Sequence, residues 1–172
     1  VIREVLDRIA EERPTDETIV AEAQQTLAAA TAFVAEHDLV TLPDEAVEVI
    51  EMPEFRRGVA IAYCDAPGPL EEVRQTFYAI APPPADWPSE RRESFYREYN
   101  RAMLVELSIH EAMPGHYLQL AHAARFDSAV RSVFGSGTFV EGWAVYSEWM
   151  MAEYGFGGAE VETQQLKLEL RL

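Results

Sequence analysis

The sequence predicts one mostly helical α+β domain over residues 1–172, with helices at both ends and a small antiparallel sheet between them. Three observations carry this. Apolar residues recur at helical spacing over residues 1–36, short β-branched and aromatic runs replace them between residues 46 and 81, and helical periodicity returns from residue 89. The chain divides accordingly into N-terminal helices (1–45), the sheet (46–81) and a helical region (89–172) that holds the chemistry.

Each element has its own justification. Residues 1–12 place Val1, Val5, Leu6 and Ile9 on one helical face, and Pro14 punctuates the pattern. Asp16 and Glu17 favour the start of a second helix, which runs to about Glu36 through Ala, Glu and Gln, all strong helix formers. Ile19, Ala23, Leu27, Ala30 and Val34 give it an apolar stripe. Val47 to Ile50, Val59 to Tyr63 and Gln75 to Ile80 read as strands, with a turn at Pro67-Gly68-Pro69. Pro82-Pro83-Pro84 ends the sheet region as a stiff connector. Ser89 is the expected cap of a helix whose apolar face, from Tyr96 to Leu107, leads into a histidine motif. Helices over Tyr117–Val130, Phe139–Tyr154 and from Glu160 onward complete the pattern.

Composition narrows the function. At 172 residues and 48% hydrophobic content, the chain can bury one substantial core. Fourteen basic residues against thirty acidic ones give a formal charge of −16, a field that repels nucleic acid and anionic membranes. Cys64 is the only cysteine, so neither an internal disulfide nor a cysteine metal cluster can form. No apolar run reaches the length of a membrane span. The chain opens on Val1 and closes inside a helical pattern at Leu172, and is read as part of a longer protein. Its compartment, whether cytoplasmic or exported, and its oligomeric state are left open.

The chemistry concentrates in His110-Glu111-Ala112-Met113-Pro114-Gly115-His116 and, 25 residues further on, Glu141-Gly142-Trp143. Two imidazoles and a carboxylate can hold one zinc ion, and a neighbouring carboxylate can act as base toward water. The candidate ligands are His110, His116 and Glu141, and the candidate base is Glu111. Glu148, two helical turns beyond Glu141, would bond a ligand histidine or compete with Glu141 for the ligand role. A second histidine six positions after the first is an awkward spacing. On a straight helix it turns the second side chain about 240° from the first. Pro114 removes a helical N–H, and Gly115 accepts backbone geometries closed to other residues, so a break between the histidines is required. Tyr63, Tyr78 and Tyr117 are each able to donate to a developing oxyanion, although packing is the commoner role for such residues. His37 and His122 are read as ordinary structural histidines.

At these residues the chain resembles the large bacterial family carrying domain of unknown function 885, whose members resemble the gluzincin zinc metallopeptidases. The family pattern is His-Glu-Ala-x-Pro-Gly-His-His-Leu-Gln. Here Tyr117 takes the place of the last histidine. Glu141-Gly142-Trp143-Ala144 is also similar to the Asn-Glu-Gly-Phe-Ala segment of zinc aminopeptidases, whose glutamate is a metal ligand. The resemblance implies a zincin-like helical core, one zinc ion held by His110, His116 and Glu141, and Glu111 as general base. It places Tyr63 on a strand facing the active site and makes Gln75–Ile80 the strand against which an extended peptide lies. It also implies further helices beyond Leu172 that complete the catalytic site.

The resulting expectation is a zinc-dependent hydrolase of peptides or small amides, with Glu111, Tyr63 and Tyr117 as catalytic candidates. Three other readings stay open: an inert binding protein on a hydrolase scaffold, an amide or ester hydrolase that is not a peptidase, and an oxygenase-type iron site, which uses similar ligands. Serine catalysis is disfavoured by the lack of a Gly-x-Ser-x-Gly elbow, and cysteine catalysis by the lack of a recognisable partner for Cys64.

Overall fold

The computed structural model describes residues 2–57, 60–68, 71, 75–126, 128, 130 and 134–170. Two helices, α1 (Ile2–Ile9) and α2 (Ile19–Glu36), precede three strands, β1 (Val47–Glu51), β2 (Ala62–Asp65) and β3 (Thr76–Ile80). Five helices with both ends among the described residues follow: α3 (Ser89–Glu98), α4 (Arg101–Glu111), α5 (His116–Ala124), α6 (Gly137–Glu153) and α7 (Gly158–Leu170). The fold is thus mostly α with a small sheet.

The five apolar residues of the α2 stripe are all buried, so its spacing of three and four translates directly into one core-facing edge. Burying Ile19, Leu27 and Val34 contributes roughly 1.5–3 kcal/mol each. That edge meets α4 and the sheet, where Tyr78, Ile80 and Ile109 are fully buried. The Tyr78 hydroxyl lies 3.2 Å from Ser108 Oγ, which itself donates to the Leu104 carbonyl at 2.9 Å. Burial raises the Tyr78 phenol well above its ordinary value. Its hydroxyl is therefore a strut between β3 and α4 rather than an oxyanion donor.

The sheet corrects the antiparallel expectation. Its order is β1-β3-β2, with β3 parallel to β1 and antiparallel to β2. Alternation along a strand reveals which residues face the core but not which strand lies beside it. Here β3 inserts between its two predecessors. This also overturns Gln75–Ile80 as the strand against which an extended peptide lies, because the strand there, β3, has a neighbour on both sides. The second strand lies slightly later than expected, at Ala62–Asp65, and Val59 falls outside the described residues.

Two helix boundaries also move. Pro88, not Ser89, precedes α3, and no side chain caps it. The helix expected to run from Ser89 into the histidine motif is broken at Tyr99-Asn100, where Asn100 caps α4 by accepting the Met103 N–H at 3.1 Å. Beyond α5 the expected helix to Val130 enters a stretch containing Asp127, Ala129 and residues 131–133, outside the described residues. The N-terminal segment is clamped to α3 and α4 by ion pairs, among them Arg101 with Glu12 and Glu22, both at 2.9 Å. Arg92 pairs with Asp16, which also accepts the Tyr96 hydroxyl at 2.6 Å.

Candidate metal centre

The histidine motif is a helix break of the kind the spacing demands. Helix α4 ends at Glu111, α5 begins at His116, and the connection contains a cis peptide bond between Met113 and Pro114. The Gly115 N–H returns to the Ile109 carbonyl at 2.9 Å, folding the turn back on the end of α4. Gly115 has an ordinary φ of −77°. Its necessity is spatial: a β-carbon there would sit 2.6 Å from the His110 carbonyl carbon and closer still to the His110 and Ile109 oxygens.

The break brings the imidazoles of His110 and His116 to 4.6 Å between ring centres, edge to face. Glu141, from the start of α6, reaches both, with Oε2 3.5 Å from His110 Nε2 and 3.7 Å from His116 Nε2. One donor atom from each of the three residues lies within 4.8 Å of the others. Three donors about 2.1 Å from a tetrahedral zinc ion stand about 3.4 Å apart, so the spacing suits such an ion.

Around these donors the carboxylates differ in role. Glu148 is buried on α6 with Oε1 2.5 Å from His110 Nδ1. A carboxylate there makes Nδ1 the proton-bearing nitrogen and leaves the Nε2 lone pair directed at Glu141. Burial by itself would depress the His110 pKa, but the hydrogen bond and charge of Glu148, with Glu111 and Glu141, outweigh it and raise the pKa. His116 shifts downward, because burial and the neighbouring His110 outweigh the attraction of Glu141. Its Nδ1 is buried without a hydrogen-bond partner among the described residues. Glu111 accepts the Cys64 backbone N–H at 2.9 Å, which ties the end of α4 to β2. Burial raises its carboxyl above the ordinary range, against the lowering effects of His110 and that hydrogen bond.

The structure therefore gathers His110, His116, Glu141 and Glu148, with Glu111 alongside, and leaves the two tyrosine candidates elsewhere. Tyr117 is buried, and its hydroxyl donates to the Glu45 carbonyl. Tyr63 packs with Met52 and Ala79 on the sheet face opposite the helical core, with the Arg56 guanidinium 4.8 Å above its ring. Both are corrections with one cause: strand and helix periodicity turn each ring away from the histidines. His122 and His37 bond the carbonyls of Thr41 and Phe33, as structural histidines do.

Three features went unread in the sequence. The Trp143 indole donates to the Pro114 carbonyl at 2.9 Å, and Ser147 Oγ reaches the same oxygen at 3.3 Å, so α6 grips the turn between the histidines. Glu106, one turn before His110, is 1% exposed. A lone carboxylate between Val105 and Leu107 was the available signal for it. The use of the Cys64 amide by Glu111 had no signal, since a backbone group carries none.

The chain belongs to the family described as bacterial protein of unknown function (DUF885), whose model matches residues 1–172. It is similar to a solved protein from Shewanella oneidensis, provisionally described as a lipoprotein of unknown function. That match has 37% identity and a TM-score of 0.85, and covers 98% of this chain and 30% of the other. A lipoprotein from Colwellia psychrerythraea, described with the same reserve, shares the fold at a TM-score of 0.68 and 23% identity, over 90% of this chain and 25% of the other. This chain thus spans less than a third of either protein. No curated protein matches it. No helix among the described residues is long and apolar enough to cross a membrane.

Proposed function

We propose that this chain carries the metal centre of a zinc-dependent, gluzincin-like hydrolase that cleaves peptide bonds. The observation that supports this most is the convergence of His110 Nε2, His116 Nε2 and Glu141 Oε2, with His110 oriented by Glu148. Two imidazoles and one carboxylate suit zinc with a position left open. Zinc held there would supply Lewis-acid polarisation of a carbonyl and of an attacking water.

The chain's own groups supply part of the remaining work. Glu148 holds the His110 ring in one orientation and one tautomer. Glu111 takes the proton of the attacking water and passes it to the leaving amine, and its partial burial makes it a better base than an exposed carboxylate. The Cys64 N–H fixes one Glu111 oxygen, leaving the other for the proton. A peptide substrate is favoured over other amides because, among the described residues, β2 has only β3 as a strand neighbour. On its other edge the Cys64 N–H is taken by Glu111, so an extended backbone would pair through the remaining edge groups of β2.

The test is metal content and hydrolysis measured together. Purified protein dialysed against trace zinc should retain one equivalent, and Glu141→Ala or His116→Ala should abolish retention. Glu111→Gln should retain zinc yet lose cleavage of a quenched-fluorescence peptide library by at least about 10²-fold. Zinc retained equally by the ligand variants, or cleavage surviving in Glu111→Gln, would sink the reading.

A further inference from the structure

Beside the histidines a second feature asks for a ligand. A cleft of about 370 Å³ lies between α4, α6 and α7, and His110, Glu111 and Glu148 form the end nearest the candidate metal centre. Its side walls are apolar, built from Leu107, Val145 and Leu168. Glu106 and Gln165 also line it. Both are almost wholly buried, and both oxygens of Glu106 together with Oε1 of Gln165 have no hydrogen-bond partner among the described residues. Among the described residues no lysine or arginine lines the cleft. Unpaired buried acceptors are costly, so a lining with three of them and no described lysine or arginine suits a ligand that brings donors.

We propose that this cleft is a specificity pocket for a basic side chain of the substrate, an alkylammonium or guanidinium that pairs with Glu106. This rests on the peptide-hydrolase reading and names its substrate class. The shape supports the assignment. Apolar walls accept the methylene stem of lysine or arginine while the charged end reaches a carboxylate. Glu106 stands four residues before His110 on α4, about 6 Å along the axis, which matches the reach of an extended lysine side chain. Burial and the nearby Glu148 push the Glu106 carboxyl up to about 9, the mark of an acid kept from both water and a cation. A bound cation would supply that counter-charge. Gln165 Oε1 offers a second acceptor, which suits the several N–H groups of either cation.

The test measures binding, so it is independent of catalysis. N-acetyl-lysine N-methylamide and N-acetyl-norleucine N-methylamide are titrated into the zinc-loaded protein and followed by NMR. The lysine probe should bind at least about tenfold tighter, a difference of about 1.4 kcal/mol. Glu106→Gln, close in shape, should erase the difference, with thermal melts confirming that the variant folds. Glu169→Gln, also in the cleft lining but not among the orphaned groups, should reduce it only in part. Equal binding of the two probes, or a lysine preference that survives Glu106→Gln, overturns the proposal. A third probe, norleucine N-methylamide with a free α-amine, separates side chain from terminus. Should it match the lysine probe and lose binding in Glu106→Gln, the pocket takes a substrate N-terminus and the side-chain assignment is wrong. Lysine-selective binding without any peptide cleavage would instead fault the hydrolase reading alone.

Discussion

Replacing Gly115 by alanine probes the geometry that all the proposed chemistry needs. The added β-carbon would lie 2.6 Å from the His110 carbonyl carbon, where ordinary contact begins at 3.4 Å. The turn must open by at least about 0.8 Å, and by more to clear the two carbonyl oxygens; all of these atoms are backbone, which cannot rotate aside. Such overpacking costs about 1–3 kcal/mol, and the upper end applies because opening the turn would also stretch the 2.9 Å hydrogen bond from the Gly115 N–H to the Ile109 carbonyl. His116 is the next residue. Zinc donors must be placed within about 0.2 Å, so a shift several times larger should weaken zinc binding by at least about 10²-fold. Chelator competition gives the affinity, and guanidinium unfolding of metal-free protein gives the stability. Gly142→Ala is the control, since a β-carbon there meets nothing within 4 Å and alanine favours a helix by up to about 1 kcal/mol. If Gly115→Ala binds zinc within about threefold of the parent and loses less than about 0.5 kcal/mol, the close-packed turn is not what positions His116.

Three further outcomes are expected. Glu148→Gln should fold normally but bind zinc about 10–100-fold more weakly, because the His110 ring loses the carboxylate that orients it; unchanged affinity by chelator competition would refute this. Trp143→Phe removes the indole donor to the Pro114 carbonyl and should cost about 1 kcal/mol in denaturant unfolding, the Ser147 contact remaining. Glu106 should make stability fall as pH rises. Its folded pKa of about 9 stands above the ordinary 4.5, so the folded state holds the extra proton and loses about 1.4 kcal/mol per pH unit across that window. Glu106→Gln should therefore raise the melting temperature more at pH 8 than at pH 5, and equal shifts at the two pH values would contradict the buried, unpaired carboxyl.

Several parts of the molecule could be read from local pattern because local pattern causes them. The α2 stripe, the helical region around the histidines and the break at Pro114-Gly115 follow from helical periodicity, proline's missing N–H and glycine's small size. His110, His116 and Glu141 stood out because metal-ligand residue types flanked a helix breaker, and Glu148 because it follows Glu141 by two turns.

Other features exist only once distant segments meet. The strand order β1-β3-β2 depends on which edges find each other, and that choice carries no period along the chain. The same assembly turned the rings of Tyr63 and Tyr117 toward Arg56 and Glu45 rather than the histidines. It set the Cys64 amide against Glu111, closed the Trp143 hydrogen bond on Pro114, and sealed Glu106 among helices α4, α6 and α7. Residue type and spacing thus determined which groups could do chemistry. Packing decided which of them share a site, because a side chain's neighbours across the core are set by how whole elements dock.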